Sequence, residues 1–273
     1  MLVDVASYPR PQGSNEDFAL SNSTVAVVLD GAGMAPGMKS GCRHGVAWYV
    51  EQLGTRLHRE AARGDAPLTT CLATAIESTA SLHRDTCVVD DPLSPSATVS
   101  MARVRGDVFE WLALGDCTVL IQSNGAVTAT TDDRLAQVAP HARETLVRAV
   151  PGSPERQRAH EALVQEERSQ RNVQGGYWVA AADPTAASQA LTGSESASRV
   201  QGAALLTDGA GRLVTTFRST DWQGYMALLR HGDPEDVLRQ VREAEASDPD
   251  LSRWPRSKQH DDATIAYIRQ VCC

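Results

Sequence analysis

The sequence predicts a mixed α and β fold built on antiparallel sheets. Three observations predict it: residues 97–130 read as a meander of hairpins, two stretches before them carry apolar stripes at helical spacing, and buried strands stand near both ends.

Thr24-Val-Ala-Val-Val-Leu29 is continuously apolar, as a strand buried on both faces must be, and it runs into a turn at Asp30-Gly31-Ala32-Gly33. Val46, Tyr49, Val50, Leu53 and Leu57 then follow helical spacing. Leu68, Cys71, Leu72, Ala75, Ile76, Thr79 and Leu82 form a second helical stripe. Ala97 to Val104 alternates, Gly106-Asp107 turns, and Val108 to Leu114 returns. Gly115-Asp116 turns again into Thr118 to Gln122, and Asn124-Gly125 suits a tight turn into Ala126 to Thr130. Residues 132–170 are polar and read as helix or loop, with Ser153 capping a helix that opens on Pro154. Tyr177 to Ala182 reads as a short strand, Asp183-Pro184 as the start of a helix, and Ala203 to Thr207 as a buried strand ending at Asp208-Gly209. Asp233-Pro234 opens a helix with Val237, Leu238 and Val241 on one face, and Ala263 to Ile268 is a strand directly after Asp261-Asp262.

Composition narrows the function. The chain has 273 residues, 42% hydrophobic and 22% charged, with no linker-like stretch, and is read as a single domain, 1–273. A formal net charge of −8 argues against nucleic acid and anionic membranes as partners. The first residues lack the pattern of a signal peptide and no run is long enough to span a bilayer, so the expected location is the cytoplasm. The six cysteines are expected to be reduced. Cys42, Cys71, Cys87 and Cys117 lack Cys-x-x-Cys spacing, which argues against a zinc site, and Cys272-Cys273 reads as an exposed tail. His44, His58 and His83 read as surface or core-filling residues on or near helices.

One pattern carries chemistry. Asp30, Asp116, Asp208 and Asp261 each stand at the end or start of a strand, and Glu16-Asp17 precedes Phe18-Ala-Leu20. Carboxylates held at strand ends can converge on one sheet edge, where their mutual repulsion is relieved by divalent cations. Oxygen-only ligation favours Mg²⁺ or Mn²⁺.

These residues resemble the PPM, or type 2C, phosphatase family in its bacterial form. Asn15-Glu16-Asp17-Phe18, Val27-Val28-Leu29-Asp30-Gly31-Ala32-Gly33, Ser96-Ala97-Thr98, Leu114-Gly115-Asp116-Cys117, Leu205-Leu206-Thr207-Asp208-Gly209 and Asp261-Asp262-Ala263-Thr264 resemble the family's blocks, in the family's order. The resemblance implies an α+β fold, a four-layer α-β-β-α sandwich of two antiparallel sheets flanked by helices. It implies two Mn²⁺ or Mg²⁺ ions, with the third that many members carry, and hydrolysis of phosphoserine and phosphothreonine on proteins by a metal-bridging water. Asp30 would bridge the two ions, with the Gly31 carbonyl, Asp208 and Asp261 as direct ligands. Glu16 and Asp17 would act through bound waters, Asp116 would serve a third ion, and Asp262 would support the site.

The pattern is broken in places. Gln12 stands where the family commonly carries a phosphate-gripping arginine, leaving Arg10 and Arg43 as the candidates to replace it. Ala32 occupies the position of a histidine common in eukaryotic members. Arg212 replaces an aspartate common four residues after the Asp208 position, and a cation there should disfavour a third metal. A small phosphorylated metabolite as substrate, and a catalytically silent PPM-like module, are the competing readings. The chain is read as a monomer.

Overall fold

A computed structural model describes residues 1–11, 13–33 and 40–271; Gln12, residues 34–39 and Cys272–Cys273 lie outside the described residues. Among the described residues, ten strands form two antiparallel five-stranded sheets. The first sheet holds β1 (Leu2–Tyr8), β10 (Ala263–Gln270), β9 (Val200–Leu206), β6 (Thr118–Ser123) and β7 (Ala126–Thr130), in that spatial order. The second holds β2 (Asp17–Ser21), β3 (Val25–Ala32), β4 (Ser96–Arg105), β5 (Val108–Leu114) and β8 (Leu191–Ser196).

Period-two alternation builds the layers. Along β3, Val25, Val27 and Leu29 face the helices α1 (Val46–Arg63) and α2 (Leu68–Ser81). Ala26 and Val28 face the other sheet, meeting Val119, Ile121, Ala203, Leu205, Ala266 and Ile268. The opposite face of the first sheet, with Leu120, Ala204, Leu206, Ile265 and Tyr267, is covered by α6 (Arg212–Thr215), α7 (Trp222–His231) and α8 (Pro234–Ala246). The result is the four-layer α-β-β-α sandwich. A continuous apolar run such as Val25–Leu29 is therefore what this position demands, since neither face meets water.

A smaller apolar cluster lies outside the four layers. There α3 (Arg134–Gln137), α4 (Pro140–Arg148) and α5 (Pro154–Ser169) gather Leu146, Ala159 and Leu163 against Tyr177 and Val179. Ser153 caps α5 as its sequence signalled, its hydroxyl accepting from the Arg156 N–H at 3.1 Å.

Two local expectations change. Tyr177 to Ala182 is not a strand; only isolated bridges form there, one of them Ala97–Ala180. The chain crosses the end of β4 once and turns away, so its apolar residues are buried without a ladder. Asp183 caps a single 3₁₀ stretch, Pro184–Gln189, rather than an α-helix. No described helix is long and apolar enough to cross a membrane.

Candidate metal centre

The acidic residues are brought together where the ends of both sheets meet. Antiparallel register places Asp17 of β2 directly across from Asp30 of β3, and Asp30 across from Thr98 of β4. The Gly31 N–H donates to the Glu16 carbonyl at 3.1 Å, drawing the two segments so close that a Cβ at 31 would strike that carbonyl and the Val46 side chain. Glycine is thus required at the exit of β3. Asp116 sits in the connection between β5 and β6, where the chain passes from the second sheet to the first.

Thr207, just past β9, ties the sheets at this edge. Its hydroxyl donates to Asp17 Oδ2 at 3.0 Å and accepts from the Thr264 N–H at 2.9 Å. Asp208 follows at once. Gly209 then lies against the Asp262 backbone, where a Cβ would collide with the carbonyl oxygen. The glycine after each aspartate is therefore a consequence of close backbone approach.

The cleft formed there has a volume of about 500 Å³ and is lined by Glu16, Asp30, Gly31, Asp116, Asp208 and Asp261 together with Arg10, Arg168 and Lys258. Asp17 is buried behind it, and its Oδ1 has no hydrogen-bond partner. Removal from water, then the charges of Asp208, Asp17, Asp261 and Asp116, push Asp30 well above the ordinary carboxylate range. Burial likewise pushes Asp17 well up. Asp116 is raised to about 7, by burial and then by Asp208. Asp261 differs: burial would raise it, but Lys258 and Arg212 outweigh burial and hold it below its usual value. A buried carboxylate oxygen without a partner, among acids that cannot all ionise together, is an all-oxygen donor set that fits hard divalent cations.

Arginines and a lysine frame these acids. Arg10 Nη1 donates to Asp262 Oδ2 at 2.6 Å and to Glu16 Oε2 at 3.1 Å, and the Arg10 N–H reaches Asp262 Oδ1 at 2.7 Å. Asp262 also accepts from the Glu16 N–H at 3.1 Å, so it ties down both ends of the connection between β1 and β2. Arg212 is buried, donating to Asp261 Oδ2 at 2.9 Å and to Glu245 Oε1 at 2.6 Å. Lys258 reaches Asp261 Oδ1 at 3.1 Å.

Of the three residues expected at the substrate phosphate, Arg10 lines the cleft, Arg43 is exposed and is not among its lining residues, and Gln12 lies outside the described residues. Several lining residues were not singled out from sequence: Lys258, Arg143, Arg168, His160 and His260. Arg168 donates to Ser96 Oγ at 2.8 Å and to the carbonyls of Ala32 and Gly33 at 3.0 and 2.8 Å, clamping α5 onto the end of β3. None of these stands in a strand-end motif, and only their convergence marks them.

A sandwich of two antiparallel sheets with a carboxylate-lined cleft at their shared edge defines the class, that of the PPM-type phosphatases. The sequence profile described as protein phosphatase 2C matches residues 14–244, and the chain belongs to that family. Comparison with curated protein sequences finds no match. Solved structures agree in fold. The catalytic domain of the serine/threonine phosphatase PstP, in complex with two manganese ions, is 14% identical, with 97% of this chain and 96% of that chain covered and a TM-score of 0.56. MsPP from Mycobacterium smegmatis, a PPM Ser-Thr phosphatase in complex with cacodylate, is 16% identical, with 99% and 98% covered and a TM-score of 0.54. PppA, a regulatory component of the T6SS in Pseudomonas aeruginosa, is 18% identical, with 98% of each chain covered and a TM-score of 0.52.

Proposed function

We propose that this protein is a metal-dependent phosphatase that hydrolyses phosphoserine and phosphothreonine on proteins. The carrying observation is the convergence of Glu16, Asp30, Asp116, Asp208 and Asp261 from both sheets on one cleft, with Asp30 strongly disfavoured as a bare anion. Family membership supports phosphoproteins as substrates, and the two manganese ions of PstP support Mn²⁺ or Mg²⁺ as the cofactor. The shared core between the sheets supports reading residues 1–273 as one unit.

In this reading Asp30, Asp208, Asp261 and the Gly31 carbonyl would hold a pair of ions. Glu16 and Asp17 would orient bound waters, and Asp116 would be the carboxylate for a third ion. When bound, such ions supply charge neutralisation and a water acidic enough to attack phosphorus in line. The chain contributes position and charge. Thr207 holds Asp17 in place, and Arg212 and Lys258 keep Asp261 ionised and oriented. Arg10, anchored by Asp262 and Glu16, presents a guanidinium at the cleft for a phosphate oxygen. Because it is already engaged by two carboxylates, it should bind phosphate less strongly than a free arginine would.

Hydrolysis of p-nitrophenyl phosphate with Mn²⁺, with Mg²⁺ and with chelator, beside the Asp30→Ala variant, tests this. Turnover should require metal and fall at least a hundredfold in the variant, order of magnitude ~10² or more for loss of preorganised electrostatic stabilisation. Full activity in Asp30→Ala would overturn the site assignment. A panel of phosphopeptides against small phosphorylated metabolites then tests the substrate class.

A further inference from the structure

We propose that Cys42, His44, His83 and Cys87 form a structural zinc site, chemically separate from the carboxylate centre. The four come from two segments far apart in sequence. Cys42-Arg43-His44 leads into α1, and His83 to Cys87 follows the end of α2. Each offers one ligand atom, and the four atoms lie within 4.8 Å of one another. Cys42 Sγ is 3.7 Å from His44 Nδ1 and 3.5 Å from His83 Nδ1, and Cys87 Sγ is 3.4 Å from His44 Nδ1. A tetrahedral zinc ion with Zn–S of about 2.3 Å and Zn–N of about 2.0 Å sets sulfur–nitrogen edges of about 3.5 Å. The side chains therefore already stand close to the corners that the ion needs.

The surroundings fit a closed structural site. Trp48 stacks on His44 at 4.2 Å between ring centroids and meets His83 edge-on at 5.1 Å, orienting both imidazoles. His83 is buried, and both cysteines are half-buried free thiols. The Val88 N–H donates to the Gly41 carbonyl at 3.0 Å, holding the two segments together beside the cluster. Two thiolates and two imidazoles select Zn²⁺ over Mg²⁺ or Mn²⁺, so the two centres would not compete for one ion.

The position suggests a clamp. The loop 64–67 joins α1 and α2 at one end of a helical hairpin; the zinc ligands stand at the other, open end. The segment that follows Cys87 leads into β4, whose Ser96 and Thr98 line the cleft. A metal there would fasten this approach to the catalytic edge. The lack of Cys-x-x-Cys spacing, which argues against zinc from sequence, is explained here: the spacing present is Cys-x-His with His-x-x-x-Cys, which becomes a site only when the hairpin closes.

The test uses full-length reduced protein loaded with Zn²⁺, freed of excess metal and then exchanged into Mn²⁺ or Mg²⁺. One zinc per chain should survive the exchange by elemental analysis. Replacement by Co²⁺ should give the thiolate-to-cobalt charge-transfer absorption and intense visible bands of a tetrahedral site. Cys42→Ser and Cys87→Ser should each lose that absorption, while Asp30→Ala keeps it. Should a cysteine variant fail to fold, iodoacetamide labelling of the wild type decides: zinc should slow modification of Cys42 and Cys87 severalfold, and a chelator should restore it. No retained zinc, a cobalt spectrum indifferent to both cysteine variants, equal labelling with and without zinc, or a Cys42–Cys87 disulfide persisting under reductant would each overturn the proposal.

Discussion

At Asp116 a proton and a cation compete for the same carboxylate. Burial and the charge of Asp208 raise this group from its ordinary 3.8 to about 7, and Asp17 and Asp30 shift the same way. The folded, ion-free protein therefore binds protons more tightly than the unfolded chain. Its contribution to stability is complete below about pH 4 and is lost as pH rises to about 7. Urea unfolding of exhaustively dialysed protein over this window should show the wild type losing stability relative to Asp116→Asn as pH rises. Added Mn²⁺ should reverse that loss by binding the ionised form. An equal pH slope in the two proteins would contradict it. The acids themselves were legible, because aspartate beside glycine at a strand end is a local pattern. What each acid faces was only half legible: Lys258 stands three residues before Asp261, but Arg212, the second cation on that carboxylate, is far away in sequence, and nothing near Asp30 says that it lacks such partners.

Short elements decide that difference. Arg212 lies in α6, a single turn, and bridges Glu245 of α8 to Asp261 just before β10. Glu245 is fully buried and also receives Arg242 at 2.6 Å and His260 at 2.8 Å. Removing one partner of a buried ion pair costs about 3–5 kcal/mol, so Arg212→Ala should lose about 3 kcal/mol in denaturant unfolding, the lower end because Glu245 keeps two partners. It should also weaken metal binding, by freeing Asp261 to reorient. Among the elements, α8 announced itself through Asp233-Pro234, and Asp233 does cap it, accepting from the Asp236 N–H at 2.9 Å. The strand β8 was not singled out. Among the described residues it is an edge strand paired with β5, and its Thr-Gly-Ser-Glu-Ser run is polar and exposed or half-buried, so no apolar alternation betrays it. Tyr177 to Ala182 misled in the opposite way: Tyr177 and Val179 fill the α4–α5 cluster while Trp178 and Ala180 pack into the core beneath α1 and α2, so its apolar residues are divided between two cores rather than laid in a ladder.

At the scale of the molecule, the three main layer interfaces are dense and continuous, while the α3–α5 region rests on its own small cluster. That region supplies Arg143, His160, Leu163, Glu167 and Arg168 to the cleft wall. Such satellite clusters open at lower free energy than a main core. Leu146→Ala, at a buried position in this cluster, should reduce amide-exchange protection across residues 134–169 while leaving the strands of the sandwich protected. Uniform loss throughout the chain would show that the region unfolds only with the whole.

The sequence by itself settled the strand-end acids, most of the elements and, through the order of its motifs, the family and the sandwich. These were legible because each depends on residues adjacent along the chain: alternation, caps, and aspartate–glycine pairs. The ring of cations around the acids, the buried pairing of Arg212 with Asp261 and the meeting of Cys42 and His44 with His83 and Cys87 belong to the fold. Apart from Arg10 with Glu16 and Lys258 with Asp261, which are close in sequence, they join residues tens of positions apart or more, and such contacts exist only once two sheets and their flanking helices have closed on a common core.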